Sequence, residues 1–400
     1  MSDITQQLLE KPESELSEAE TRELIEYYST MSAKYTAYEQ AVKVTLNSIY
    51  GAFGNKWFHF FNLDIAESIT IQGQGAILYS EKILNKYFQD FWIKDTAVHE
   101  HFNIKVVTKP VKPAVVYIDT DSCYVQFEEM YESIEWLEDK LTIDQFIMQL
   151  YNFRIKDYIT KCMTKYAENT NTDNFLYFDL ETIAYSGIWL AKKKYLQNIA
   201  WEDKLEEDDR YPSLSKIKTI GFDTIQSSTP AIARKHLTDA LKLVLSEKPT
   251  ADLLKKLVEY LKKCKKEFKL VDVDQIAFNK RTNNIEKYIV DDTIEFQIGS
   301  KCPPNVKAAG FYNFLMNTNP KYKNKYKMIG NGEKLKLYHC KHTTCDMFAY
   351  MPGDHPYEIA PEIDYELQFE KSVIDPLNRV LKAVGLQTLN RNLIYSTSLF

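Results

Sequence analysis

Polar and apolar residues recur at helical period over residues 21–50, with no Gly or Pro, and again over 64–91 through Ile77, Leu78, Ile83 and Tyr87. Both stretches predict long helices, and Gly51 is expected to interrupt the pattern between them. Residues 1–20 are polar and acidic, with Pro12, and read as a ragged start or a short helix. The period changes at 115–127, which is rich in Val, Ile, Tyr and Phe and is broken by Asp-Thr-Asp-Ser. That pattern predicts a β-hairpin with a polar tip. Helical spacing returns at 143–168, and strands are expected over 175–199. The acidic stretch 202–209 reads as an exposed loop.

A second region opens near Gly221. Ser227, Ser228 and Thr229 precede Pro230, predicting a helix start with a capping hydroxyl and a proline in the first turn. Helical spacing continues to about Leu270. Leu254, Leu257, Val258, Leu261, Cys264 and Phe268 form one face, and six lysines between 255 and 266 line the other. A soft boundary falls near residue 222.

Composition narrows the class. The 400 residues are 44% hydrophobic and include only 12 Gly, so a low-complexity chain is excluded. The net charge of −6 argues against a protein that simply coats nucleic acid. It leaves room for local basic tracks beside acidic sites. Six Cys lie in unrelated contexts, as free thiols in a reducing cytoplasm would. No apolar run approaches membrane-spanning length, so no membrane association is expected.

Three clusters carry chemistry. In KVTLNSIYG at 43–51, Lys43, Asn47 and Tyr50 are spaced i, i+4 and i+7 on one helix face. They offer an ammonium, an amide and a phenol, and Ser48 and Gly51 are small enough for a close approach. A solvated polar face would look the same on spacing alone. In VVYIDTDSCYV at 115–125, Asp119 and Asp121 crowd one hairpin tip, and a divalent cation would relieve their repulsion. The alternative is a solvated acidic turn. A calcium loop of EF-hand type is excluded, because Cys123 and Tyr124 stand where it needs a ligand and a glycine. In YFDLETIA at 177–184, Asp179 and Glu181 alternate along a strand-like run. In AKKKYLQNI at 191–199, Lys193 and Tyr195 share a strand face suited to a phosphate and a sugar edge. An ordinary sheet surface is the alternative for both.

KVTLNSIYG, then YIDTDS, then KKKY, in this order, resembles family B DNA polymerases, in particular the replicative enzymes of large tailed bacteriophages. IGFDTIQSSTP at 220–230, NNIEKY at 283–288, SKCPPNVK at 300–307 and FYNF at 311–314 extend the resemblance to the last residue. It implies an α+β, right-hand polymerase fold, in part: a helical fingers segment, an antiparallel β palm with helices, and a mostly helical thumb with a small β part. The implied division is a tail at 1–20, the second half of the fingers at 21–55, palm at 56–222, thumb at 223–392 and a clamp-binding-like tail at 393–400.

The resemblance also implies roles. Lys43 would contact the phosphates of an incoming dNTP, with Asn47 beside them. Tyr50 would lie under the nascent base pair, with Gly51 allowing the close fit. Asp121 would bind both of two Mg²⁺ ions, with Asp119 and Glu181 as supporting carboxylates. Lys193 and Tyr195 would touch the primer terminus. Lys192, Asn284, Lys287, Lys301 and Lys307 would grip primer-template DNA. Leu399 and Phe400 would engage a sliding clamp, although the second aromatic group usual in such a tail is absent. KYKNKYK at 321–327 is a further basic candidate, or else a solvated loop.

One family element is missing. The second metal-binding aspartate belongs to a stretch resembling DxxSLYP upstream of the fingers, and Asp3 is the sole Asp before Lys43. The basic first fingers helix and the 3′→5′ exonuclease domain are absent too. The expectation is a split polymerase: a C-terminal subunit active with an N-terminal partner chain, in the cytoplasm of a bacterial host if phage-encoded. The alternative is a non-catalytic DNA- and clamp-binding remnant. His339, Cys340, His342 and Cys345 form a compact group that departs from the paired spacing of zinc sites.

Overall fold

A capping box opens the first long helix. The computed structural model describes residues 11–12, 15–106, 108–203, 216–224, 226–288, 302–343, 345–390 and 394. Ser17 Oγ accepts from the Glu20 backbone N–H, and the Glu20 carboxylate takes the Ser17 N–H at 2.8 Å. The Ser17 hydroxyl also donates to that carboxylate at 2.7 Å, and this bond, the Ser17 N–H and Lys11 at 3.0 Å hold the Glu20 carboxyl down at about 2. Helix α1 then runs Glu18–Phe53 for 36 residues, about 54 Å at 1.5 Å per residue. Gly51 does not interrupt it. The helix continues past that residue and ends at Gly54, because a single Gly costs only about 1 kcal/mol inside a helix.

The chain divides into two compact units, one formed by residues 1–93 and 110–126, the other by 94–109 and 127–400. In the first unit α1 turns through an elbow into helix α2, Leu63–Lys86, which Asn62 caps by accepting from the Ile65 N–H. A π-helical turn, Tyr87–Phe91, follows. The predicted hairpin is present as β1, Val115–Asp119, and β2, Ser122–Val125, antiparallel with a bulge between Val115 and Tyr117. It is a two-stranded sheet by itself. Helix α2 packs against both α1 and the hairpin.

In the second unit the predicted 143–168 helix is two helices, α3 (Ile143–Leu150) and α4 (Lys156–Asn169), joined by a π-helical turn. Strands β3 (Thr182–Ala191), β4 (Lys194–Glu202) and β5 (Lys216–Ile220) form an antiparallel sheet in sequential order. Residues 172–181 are not a strand. The Tyr151 hydroxyl donates to the Phe178 carbonyl at 2.7 Å, and Lys156 draws Asp179 aside at 3.1 Å.

Beyond Gly221 come helices α5 (Ala231–Ser246) and α6 (Ala251–Phe268), separated by a turn in which Thr250 caps α6. Pro230 occupies the N-cap of α5, and no hydroxyl caps that helix. The predicted apolar face of α6 is the buried one, with Leu253 taking the innermost place expected of Leu254. Strand β6 (Phe278–Arg281), short helix α7 (Ile285–Tyr288) and helix α8 (Pro304–Thr318) lead to β7 (Lys334–His339) and β8 (Met347–Tyr350). Helix α9, Asp375–Ala383, packs on α5. Leu241, Leu257, Tyr312, Phe348 and Leu377 belong to one continuous core. Mixed helices and small antiparallel sheets match the partial α+β fold expected from the sequence.

His236 of α5 is inside that core, and neither ring nitrogen has a hydrogen-bond partner among the described residues. Burial lowers its pKa from 6.5, outweighing the attraction of Glu267 and Asp239. A histidine held neutral by folding stabilises above its unfolded pKa, and that contribution is lost as pH falls below about 6.5. Thermal denaturation of the chain should therefore show a midpoint that drops between pH 7.5 and 5.5. His236→Leu should flatten that dependence, and an unchanged slope in the variant would contradict this account.

Candidate functional site

Lys43, Asn47 and Tyr50 are all solvent-exposed on one face of α1. The whole helix buries no residue. Tyr28, Tyr35, Tyr38, Val42, Leu46 and Ile49 recur at helical spacing and are all exposed, Leu46 by 61%. Tyr35, Tyr38, Val42, Leu46, Lys43 and Asn47 line one shallow depression. The polar triad thus borders an apolar stripe. A Cβ built on Gly51 would meet nothing within 4 Å, so whatever its smallness accommodates lies outside the chain itself.

The aspartate turn belongs to the same unit. Asp119 pairs with Ser122 across the hairpin, leaving Thr120 and Asp121 as the two turn residues. The Asp121 N–H donates to the Asp119 carbonyl at 2.5 Å, which closes a three-residue turn on Thr120. Thr120 has φ +51°, a left-handed conformation that costs a β-branched residue of order 1–3 kcal/mol. Its hydroxyl donates to Asp119 Oδ1 at 3.1 Å, and the Ser122 hydroxyl donates to the Asp119 carbonyl at 3.1 Å. Asp121 is exposed and Asp119 half-buried, so both carboxylates are open to a cation. Oxygen-only donors suit a hard divalent ion such as Mg²⁺. Among the described residues no three His, Cys, Asp or Glu side chains gather as a metal cluster, so this turn offers two carboxylates and needs further donors.

The second unit carries the remaining candidates. Glu181 is exposed, and its carbonyl accepts from the Asp203 N–H at 3.0 Å, extending the β3–β4 ladder by one pair. Asp179 is taken up by Lys156 and by the Tyr151 hydroxyl at 3.4 Å. Burial, then Asp179, pushes the Tyr151 phenol up to about 12. Lys193 is not on a strand face beside Tyr195. Ala191 pairs with Lys194, which places Lys192 and Lys193 in the turn between β3 and β4. Tyr195 is 7% exposed and stacks on Trp189 with ring centroids 6.5 Å apart.

Lys193 has φ +58°, and Gly221 follows β5 with φ +63°. A Cβ on Gly221 would lie 2.2 Å from the Lys193 carbonyl oxygen. Strand β5 ends where only a glycine lets its backbone pass against that turn, because Tyr195 pairs with Ile220.

Asn284 (φ +57°) precedes the short helix α7 and Lys287 lies within it, both exposed, and α7 packs on α8, which carries the half-buried Lys307. Lys301, Leu399 and Phe400 lie outside the described residues. The 321–327 stretch is not a free phosphate track. Lys325 is ion-paired with Glu358 and Lys327 with Glu333, while Tyr322 and Tyr326 are buried. The Cys340 thiol contacts Thr343 Oγ1 at 3.2 Å and the Cys345 carbonyl at 3.1 Å.

Sequence reasoning missed one surface. The elbow after α1 holds Trp57, Phe58, His59, Phe60 and Phe61 in succession, with Trp57 85% and Phe60 66% exposed. Lys56 Nζ sits 5.0 Å from the Trp57 ring centroid. Five successive aromatic side chains break both the helix and strand periods, and that signal was available in the sequence.

The profile of DNA polymerase family B matches residues 19–156. The DNA-directed DNA polymerase of Enterobacteria phage T4 is 24% identical over 358 residues, 86% of this chain and 37% of that protein. That of Escherichia phage RB69 is 29% identical over 364 residues, 86% of this chain and 36% of that protein. A DNA polymerase of Choristoneura biennis entomopoxvirus is 26% identical over 239 residues, 57% of this chain and 21% of that protein. The chain spans little more than a third of the length of the two phage enzymes.

The two glycines separate a structural from a functional demand. Gly221→Ala should destabilise the second unit by roughly 1–3 kcal/mol, read by denaturant unfolding. Gly51→Ala should raise the helicity of α1, by about 0.5–1 kcal/mol in helix stability, read by circular dichroism. Destabilisation by Gly51→Ala would show that α1 is packed by its own chain.

Proposed function

Because the chain is a segment of a phage-type family B DNA polymerase, we propose that it carries the nucleotide-binding helix and one metal-binding aspartate hairpin of a template-directed DNA polymerase. The observation that carries this reading is the composition of the first unit. A lysine, an amide and a phenol face solvent on one helix, in the same compact unit as two carboxylates, Asp121 exposed and Asp119 half-buried, on a strained turn.

Lys43 supplies a fixed positive charge for the triphosphate of a dNTP, and Asn47 a hydrogen-bonding amide beside it. Tyr50 offers a flat ring under the nascent base pair, and Gly51 leaves it room. Asp121 and Asp119 would hold Mg²⁺. When bound, two such ions lower the pKa of a primer 3′-hydroxyl and neutralise phosphate charge in an in-line displacement. The protein's share is orientation and preset charge. Lys192, Lys193 and Tyr195 serve the primer end. Lys287 and Lys307, with Asn284 and Lys301, grip the product duplex despite the acidic balance of the chain. Residues 21–55 are the second half of the fingers, 56–222 the palm and 223–392 the thumb. The elbow aromatics beside Lys56 provide a stacking surface for bases.

Two features support dependence on polypeptide outside these 400 residues. The aspartate turn has two carboxylates where a two-metal site needs a fuller ligand set. The apolar stripe of α1 is bare, and bare stripes of that extent mark interaction surfaces. The complement is the N-terminal half of the polymerase, with the other fingers helix, the second metal aspartate and the exonuclease. Leu399 and Phe400 are proposed to engage a sliding clamp.

Primer extension with Mg²⁺ tests the reading. The chain with its N-terminal complement should extend a primer, and the chain alone should not. Asp121→Asn should lower the rate of the complex by about 10³-fold, the worth of several kcal/mol of charge stabilisation. No synthesis from the complex would refute the proposal, and robust synthesis by the chain alone would refute the dependence. Deleting residues 398–400 should reduce clamp-dependent processivity and leave distributive extension unchanged.

A further inference from the structure

The carboxylates of the aspartate turn depend on a hairpin that cannot hold itself. A two-stranded sheet is marginal in water, and among the described residues β1–β2 has no third strand. Its register carries a bulge: Val115 pairs with Val125 and Tyr117 with Tyr124, leaving Val116 as the extra residue. Side chains alternate with period two along a strand, so losing the bulge, a one-residue slip of register on the turn side, would turn Asp119 to the opposite face.

Three side chains of the first unit, spaced four apart from α2 into the π-helical turn, meet this hairpin and the segment leading into it. Asn85 Oδ1 accepts from the Val115 N–H at 2.9 Å, at the residue just before the bulge. Gln89 Nε2 donates to the Val111 carbonyl at 3.0 Å, four residues earlier in the same approach. Glu81 is close enough to Cys123, beside the turn, to add to the effect of burial in pushing that thiol up to about 12. The Asn85 contact is the one that engages the β1 backbone itself.

We propose that Asn85 is a positioning residue for the polymerase reaction: by fixing the Val115 amide it sets the bulge of β1, and with it the direction in which Asp119 and Asp121 are presented. This rests on the functional reading given above for the two aspartates. Asn85 touches neither nucleotide nor metal, and it acts through the strand. Its amide oxygen is the working atom, so Asp at this position preserves the acceptor and Leu removes it while keeping the bulk. The hydrogen bond lies within one compact unit, so its effect on the turn is local.

Two measurements on the full chain decide the proposal. In hydrogen exchange, Asn85→Leu should speed exchange of the Val115 amide about tenfold or more, the worth of one buried hydrogen bond, and Asn85→Asp should keep it protected. In single-nucleotide addition by the chain with its complement, Asn85→Leu should lower kcat by about tenfold or more with KM for the nucleotide within about twofold, and Asn85→Asp should restore most of kcat. A kcat for Asn85→Leu within twofold of wild type would overturn the proposal. So would a KM that rises in step, or equal losses in Asn85→Asp and Asn85→Leu. If the wild-type complex makes no DNA, the polymerase reading fails. Exchange then decides the bulge alone: unchanged protection in Asn85→Leu overturns the role of Asn85, and lost protection sustains it.

Discussion

The packing of α2 against the aspartate hairpin is the interaction on which the first unit depends. α1 contributes no buried residue, and among the described residues the hairpin has no third strand. The interior of α2, with Ala76, Ile77, Ser80, Ile83 and Leu84 buried, is what both can rest on. Burial alone orients a hairpin loosely, because hydrophobic contact is non-directional. Polar side chains of α2 and of the π-helical turn after it add directional contacts, meeting backbone groups of the strand and its approach. The apolar residues of α2 thus fix where the hairpin lies, and its polar residues fix which way the hairpin faces.

The charges show a similar division of labour. A count of lysines suggests several basic tracks, yet many of those lysines are neutralised close at hand. Lys325, Lys327 and Lys341 each have a glutamate partner, as does Lys256 on α6. Such surface pairs add little stability. Their effect is to remove positive charge from places where sequence alone would put it.

The long periodic elements were legible in the sequence: α1, α2, α6 and the Asp-Thr-Asp hairpin lie where hydrophobic spacing put them. So were the exposed triad of Lys43, Asn47 and Tyr50 and the sharing of one turn by Asp119 and Asp121. Features set by single contacts were not. Residues 172–181 have strand-like composition, but Tyr151 and Lys156 hold them in another course, and neither is near in sequence. Lys193 follows a strand pattern and yet forms the turn, because that turn is fixed by Gly221 more than 25 residues on. Gly51 looked like a break, and the helix passes through it because nothing forces a stop. Asn85 gave no signal, since an amide on a helix face has no period of its own to violate.

The contact between Gly221 and Lys193 couples two distant positions in the way the chain can vary. With residue 193 in the left-handed region, Asn, Asp or Gly would suit its backbone better than lysine does, and a β-branched residue would not. Position 221 is closed to every side chain while the 193 carbonyl stays where it is. The two sites are therefore sterically coupled: a side chain at 221 becomes tolerable only after the turn around 193 has been rebuilt. Lysine at 193 therefore stands against the preference of its own backbone, and the turn carries its ammonium at the cost of local strain.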